Sequence, residues 1–448
     1  MNSKPNYVQN TQVKILSKKF IYWAIAIFSL KLIIILNIPF GAWFAADGEN
    51  YVEGVNGLLN EGIFSKQHEL IYWPAGYPIF IYSLKIFGTS WLTATLSIIQ
   101  SGIFSFSAYY FAKSMLFTKV KNYAFFILIL ILINPTLSLS SMSIGYESLA
   151  ASGYLLILSI AINNLTKKDN SGFISDLVFV SLIVSFLGFI QPRLILGGVL
   201  IILIWILSIK SIKNIFIYLI ISILLVLIFP SSLLLRNNES MGLTTISTNL
   251  GVTMDIGAGD RASGGYDSKF HGVPCELGTL NEVDADQARI KCVLNWYIKN
   301  PVQASKIFWN KSVYFWSPWF GPLGNGTMAR NPWLKINPVK GFFDSSQAGK
   351  QIVLGPVGKF FSWFWMISGL VLFFYGFAIL WKSRGIERLI AKMALAIVAS
   401  SWFITLLSIG DHRFRLPIMG MSLFLQAVGI RTLLKGGKSQ MVDGPGLR

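Results

Sequence analysis

The chain has 448 residues, of which 53% are hydrophobic and only 13% charged. That balance excludes an ordinary soluble protein, where about 25% of residues are charged. The formal net charge of +18 does not point to nucleic acid, because many of the Lys and Arg lie in short clusters between long apolar runs and no basic helix interleaved with stacking aromatics appears.

Runs of about 20 apolar residues are membrane helices by length, so the expected class is an all-α polytopic membrane protein. The first run follows "VKILSKKF" and lacks a small-residue cleavage site, which reads as a retained span. Ten spans are expected, near 20–38, 90–112, 122–137, 143–162, 172–190, 194–210, 213–234, 353–381, 388–409 and 414–434. The connections fall into two sets. "KILSKKF", "KVKN", "LTKKDN", "KSIKN", "KSRGIER" and "LLKGGK" are rich in Lys and Arg, which the positive-inside rule places in the cytoplasm with both termini. The expected organisation is a cytoplasmic N-terminus (1–19), a transmembrane catalytic module (20–234) with an external loop at 39–89, an extracytoplasmic segment (235–352), C-terminal transmembrane helices (353–434) and a cytoplasmic tail (435–448).

The other connections hold the unusual chemistry. In the opening loop, Tyr51, Val55, Leu58 and Leu59 recur at helical spacing, so 49–60 predicts a helix lying on the membrane. Asp47 just ahead of it reads equally as an N-cap or as a general base. "WPAGYP" (73–78), with Tyr77, fixes a turn before a short interfacial or re-entrant stretch at 79–87. Glu147 opens a span after a polar stretch. Arg193 lies between two apolar runs that almost touch, where it either snorkels to lipid phosphates or grips one phosphate. Arg413 and Arg415, beside Asp411 and His412, repeat this before the last span. Arginines at separate external edges indicate an anionic ligand with its phosphate at that level.

In the external segment, Asp284 is the expected N-cap of a helix over 284–300, ended by Pro301. Cys275 and Cys292, the only two cysteines, are candidates for a disulfide in an oxidising compartment. Trp296, Trp309, Trp316, Trp319 and Trp333 read as interface anchors. The sequence has no His-x-x-x-His or His/Cys cluster, no P-loop and no room for a soluble Rossmann-like domain.

These residues together resemble the GT-C superfamily of polyprenyl-phosphate-sugar-dependent glycosyltransferases, above all the bacterial relatives of protein O-mannosyltransferases and of the aminoarabinose lipid A transferase. The match is carried by Asp47, Tyr51, Asn56, Leu58, Leu59, Gly62, Phe64 and Ser65 followed by "PAGYP", and more weakly by Glu147, "QPR", "NPVQASKIFWNKSVYFW" and "RFRLP". The resemblance implies an inverting glycosyltransferase at the outer face of the cell's inner (plasma) membrane, with Asp47 as catalytic base and Arg193 with Arg413 or Arg415 on the donor phosphate. Glu49 and Glu147 are the possible partner acids, and Gly48 separates Asp47 from Glu49 where many members have adjacent acids. Tyr51, Tyr77 and His412 are candidates for the substrate pocket. The implied partners are a polyprenyl-phosphate-linked sugar and a lipid, glycan or protein acceptor, with no cofactor and no obligatory metal. A lipid-linked-sugar flippase or an O-antigen-type polymerase or ligase is the alternative.

Overall fold

A computed structural model describes residues 4–37, 47–167, 172–208, 212–266, 272–317 and 356–434. Among them the regular structure is helical, and the sole β feature is an isolated bridge between Gly265 and Gly410. Seven helices are long and apolar enough to cross a membrane: Ile15–Asn37, Glu147–Leu165, Phe173–Ile190, Asn214–Met241, Trp363–Lys382, Ile386–Leu407 and His412–Leu434. Two shorter apolar helices, Lys121–Ile133 and Pro192–Leu207, lie where two further spans were expected. The remaining expected span is helical but serine-rich. The expected tail 435–448 and the whole of 318–355, with Trp319 and Trp333, lie outside the described residues.

The helices are α1 (Lys4–Asn37), α2 (Gly48–Glu61), α3 (Glu69–Tyr72), α4 (Gly76–Ser83), α5 (Leu92–Met115), α6 (Ala124–Ile133), α7 (Pro135–Ser140), α8 (Glu147–Leu165), α9 (Phe173–Ile190), α10 (Ile195–Leu207) and α11 (Ile212–Met241). An outer group follows, α12 (Leu250–Ile256), α13 (Glu282–Lys299) and α14 (Pro301–Trp316), and then α15 (Pro356–Lys382), α16 (Ile386–Leu407) and α17 (Met419–Leu434). Two boundaries differ from expectation. The apolar part of α1 extends one continuous helix that begins at Lys4, and α11 runs past residue 234 to Met241.

Small residues let the central helices approach closely, which in an apolar solvent is the main source of helix association. On α8, Ala150, Ala151, Ser152 and Gly153 are buried, and α5 contributes buried Ser97, Ser101, Ser105 and Ala108. At the α15–α17 crossing, a Cβ on Gly376 would lie 1.9 Å from the Leu425 carbonyl oxygen, so only glycine fits. The peripheral helices instead expose large apolar side chains, among them Ile33 on α1, Phe216 and Leu224 on α11, and Trp365 and Phe374 on α15. That is the surface a lipid-facing helix presents.

At one end of the bundle, Glu387 at the start of α16 accepts a hydrogen bond from the Lys119 amide (2.9 Å), and Asp176 accepts from Asn164 (2.9 Å). The opposite ends of α8, α9 and α16 converge with α2, α4 and the 3-10 turns Pro192–Leu194 and His412–Ile418. There the outer group docks. Its own core comprises Met254, Ala258, Val273, Val293, Trp296, Tyr297, Ala304 and Ile307. Cys275 and Cys292 are disulfide-bonded beside it. Trp296 is thus a core residue of the outer group and not an interface anchor.

The N-cap of α13 is Asn281, not Asp284. The Asn281 side chain accepts from the amides of Val283 and Asp284, while Asp284 takes the third helical position and accepts from the Asn281 side-chain amide (2.8 Å). This is a reciprocal capping arrangement. The outer group is tied to the end of α16 and to the loop after it: buried Lys311 donates to the Leu406 carbonyl (3.0 Å), and the Gly410 amide donates to Gly264 (2.8 Å). A lysine at the last carbonyls of a helix satisfies acceptors that have no partner within it.

Candidate active site

The site forms where four separate stretches of sequence meet. Asp47 occupies the N-cap position of α2, but its side chain makes no cap hydrogen bond. The Asp47 carboxylate is instead paired with Arg413, Nη1 to Oδ2 at 2.8 Å. The bland alternative, an aspartate retained as a helix cap, is therefore not what the side chain does. On its other edge, Arg413 Nε lies 3.8 Å from Glu147 Oε1, an ion pair by charge but too long for a hydrogen bond. One guanidinium thus links two carboxylates a hundred residues apart in sequence, at the N-terminal ends of α2 and α8. All three side chains are largely withdrawn from solvent, at 12% exposed for Arg413, 17% for Asp47 and 5% for Glu147.

The turn carrying Arg413 has its own cap. Asp411 accepts from the Arg413 amide (2.8 Å) and lies 3.5 Å from His412 Nδ1. The side chain of His412 is thus placed against Asp411, next to Arg413 in the sequence. In a 3-10 turn residues two apart point in different directions, and Arg415 leaves the site. It donates to the carbonyls of Ser317 (2.7 Å) and Trp316 (3.3 Å), clamping the end of α14. Its donors serve this clamp, so Arg415 is not placed to hold a donor phosphate.

Arg193 stands differently. Its guanidinium donates to the Tyr146 hydroxyl and lies over the Phe414 ring, 3.7 Å from the centroid. No carboxylate pairs with it among the described residues. Arg413 faces the same ring at 5.3 Å. The site therefore presents one guanidinium paired with two carboxylates and one held by aromatic and phenolic partners, with Glu147 within electrostatic reach of both.

An aromatic wall encloses the pair. Tyr51 is buried, with its ring centroid 5.0 Å from Tyr77, 6.3 Å from Tyr146 and 6.4 Å from Trp73. Burial, reinforced by nearby Asp47, pushes the Tyr51 phenol well above its ordinary range, so it stays protonated. Burial raises Tyr77 likewise. Tyr77 donates to Gln100 (3.0 Å) and accepts from the Gly145 amide (2.7 Å), which fixes the backbone leading into Tyr146 and Glu147. Glu49 lies in the first turn of α2, is exposed, and does not share Arg413. The carboxylate that does share it with Asp47 is Glu147.

Several contributors are invisible to motif reading. Tyr146 and Phe414 adjoin predicted residues in sequence, and that adjacency is their only signal. Arg236 sits at the end of α11, where an arginine reads as a snorkelling anchor. It is 5% exposed. It donates to the carbonyls of Ile63 (3.1 Å), Leu70 (3.2 Å) and Ser65 and to the Asn237 side chain, holding the connection between α2 and α3 in place. Compared with known protein families, curated proteins and solved structures, the chain has no significant match.

Proposed function

We propose that this chain is an integral-membrane, inverting glycosyltransferase that moves a sugar from a polyprenyl-phosphate donor to an acceptor hydroxyl at the outer face of the cytoplasmic membrane. The observation that carries the reading is the juxtaposition of Asp47, Glu147 and Arg413 (2.8 and 3.8 Å) with Arg193, which packs on the same Phe414 ring as Arg413. The first-loop resemblance, the aromatic wall and the position of the site at the ends of apolar helices support the same reading.

The chemistry is a single displacement. The acceptor oxygen forms a bond to the anomeric carbon while the bond from that carbon to the phosphate oxygen breaks. The bonding pair leaves with the lipid phosphate, and the acceptor proton passes to a carboxylate oxygen of Asp47. Charge developing on the phosphate is met by fixed guanidinium groups, which cost little reorganisation during the reaction. Trp73, partly exposed at the edge of the aromatic wall, provides a ring face of the kind on which a sugar stacks. The Lys/Arg-rich connections in the sequence support this location.

The test is transfer in vitro by purified protein offered a panel of polyprenyl-phosphate sugars, scoring released lipid phosphate. Asp47→Asn should lose about 100-fold or more of the rate, the usual contribution of a general base, while inserting and folding normally. Near-normal transfer by that variant would remove Asp47 from the mechanism. Binding of the lipid sugar without release of lipid phosphate would instead indicate a flippase.

A further inference from the structure

A run of aromatic side chains leads outward from the site. Trp73 meets the buried Tyr51 edge to face with centroids 6.4 Å apart, Tyr72 meets Trp73 at 5.3 Å, and His68 stacks on Tyr72 at 5.4 Å. Exposure grows along it: Tyr51 is buried, Trp73 and Tyr72 are half-buried, and the His68 side chain is 57% exposed. The Tyr72 hydroxyl lies within electrostatic reach of Asp47 on one side and of Asp286 and Arg289 of α13 on the other. The run thus follows the seam between α3 and the outer group, where the Thr248 amide donates to the Ile71 carbonyl (3.0 Å). Planar polar groups flank it. Glu282 lies 3.5 Å from His68 and 3.4 Å from the Thr248 hydroxyl, and the Gln67 amide donates to Glu69 (2.8 Å).

Each class of acceptor needs a different surface. Lipid tails need an apolar one, and the carboxylates and guanidinium around Tyr72 are costly to cover with hydrocarbon. A peptide held by main-chain hydrogen bonds needs a sheet edge, and no strand forms among the described residues. A sugar chain matches what is present: its C–H faces pack on aromatic rings, and its hydroxyls pair with carboxylate, amide and guanidinium groups. A six-membered sugar ring is about as large as a tyrosine ring, so three aromatic side chains in series suit linked sugars rather than a single one. We propose that the acceptor is an oligosaccharide, whose terminal sugar offers its hydroxyl to Asp47 while the sugars behind it lie along Trp73, Tyr72 and His68. This rests on the glycosyltransferase reading above and selects one acceptor class within it. Tyr72 then determines specificity by holding the chain, and takes no part in the bond changes at the anomeric carbon.

Partition of labelled sugar among acceptor pools tests this. Purified full-length protein in nanodiscs is given the panel of polyprenyl-phosphate sugars, each labelled in the sugar, and pools prepared from the envelope of the cells that make it. The pools are glycan chains of several sugars, their component monosaccharides, and protein and lipid each stripped of glycan. Label should enter the chains about tenfold more efficiently than the monosaccharides and stay out of protein and lipid. Tyr72→Ala should raise the apparent KM for the chains about fivefold, the scale of one aromatic contact, and leave that for the monosaccharides unchanged. General loosening of the fold would not produce that split, and Tyr72→Phe, which keeps the ring, should behave as wild type. Label in protein or lipid instead of glycan overturns the acceptor class while the transferase reading stands. Equal use of chains and monosaccharides, or an unchanged KM in Tyr72→Ala, overturns the platform. If no lipid phosphate is released with any donor and any pool, the transferase reading fails and takes the acceptor with it. Should Tyr72→Ala not fold, His68→Ala at the exposed end of the run is read for the same split and decides the matter.

Discussion

Replacing Gly76 by alanine should damage the site without touching any charged residue in it. Gly76 opens α4 and packs against the end of α9, where an added Cβ would lie 1.9 Å from the Phe189 carbonyl oxygen and 2.4 Å from its carbon. Cβ atoms essentially never come within 3.0 Å of such an atom, so the two helices must part by about the 1.1 Å between 1.9 and 3.0 Å. The obstacle is backbone and cannot rotate aside. What lies on each side decides the consequence: Tyr77 follows Gly76 directly, and Phe189 is followed within a few residues by Gln191 and Arg193. The displacement therefore separates the aromatic wall from the Arg193 guanidinium. Overpacking of this kind costs about 1–3 kcal/mol, and a misplacement of about 1 Å can cost roughly 100-fold in rate. The assay is thermal unfolding in detergent together with sugar transfer, with Gly102→Ala on α5 as the control. There the nearest atom is Phe28 Cε2 at 3.7 Å, an ordinary contact, and a helical Gly→Ala is expected to be neutral or stabilising by up to about 1 kcal/mol. Wild-type melting and transfer in Gly76→Ala would refute the reasoning.

Arg236→Met strips three backbone carbonyls and the Asn237 side chain of a buried donor. It should destabilise by about 3 kcal/mol or more, with faster hydrogen exchange confined first to residues 62–71. Burial holds the Lys311 ammonium down at about 7, against an ordinary 10.5. Between those values the unfolded chain binds a proton that the folded chain does not, so stability should rise with pH by up to about 1.4 kcal/mol per unit across that window and flatten below about 7. Lys311→Met should remove this slope in melts between about pH 7 and 9, and an unchanged slope would assign it to other groups. Reducing the Cys275–Cys292 bond, which spans a sequence separation of 17, should loosen α12–α14 by about 3 kcal/mol. Exchange in the membrane helices should be unaffected.

The long apolar runs were legible because lipid allows little besides helix, so composition and length alone locate α8, α9, α11, α16 and α17. Asp47, Glu147, Arg193 and Arg413 were legible as a group because charge at the end of an apolar run is costly unless it has an assignment. Which of them pair was not legible. Glu49 and Glu147 were equal candidates until the fold placed only Glu147 beside Arg413, since pairing across the chain depends on tertiary register. Arg413 and Arg415 looked alike for the same reason: two positions in a 3-10 turn diverge, and nothing in "RFR" says which faces inward. The α13 cap was misplaced by three residues because Asn281 and Asp284 are both good capping types, and only their reciprocal bonding ranks them. Gly76 gave no sign of its role, because the Phe189 carbonyl that requires it comes from another helix.

The order in which the site's parts occur along the chain has a consequence for biogenesis. Asp47 follows the first crossing, Glu147 and Arg193 come with the middle ones, and Arg413 emerges only ahead of the last. During synthesis the two acids therefore lack their shared arginine until translation is almost finished. A chain stalled before its final helix carries two carboxylates at the ends of apolar helices without the guanidinium that pairs them, so incomplete copies should be cleared faster than complete ones.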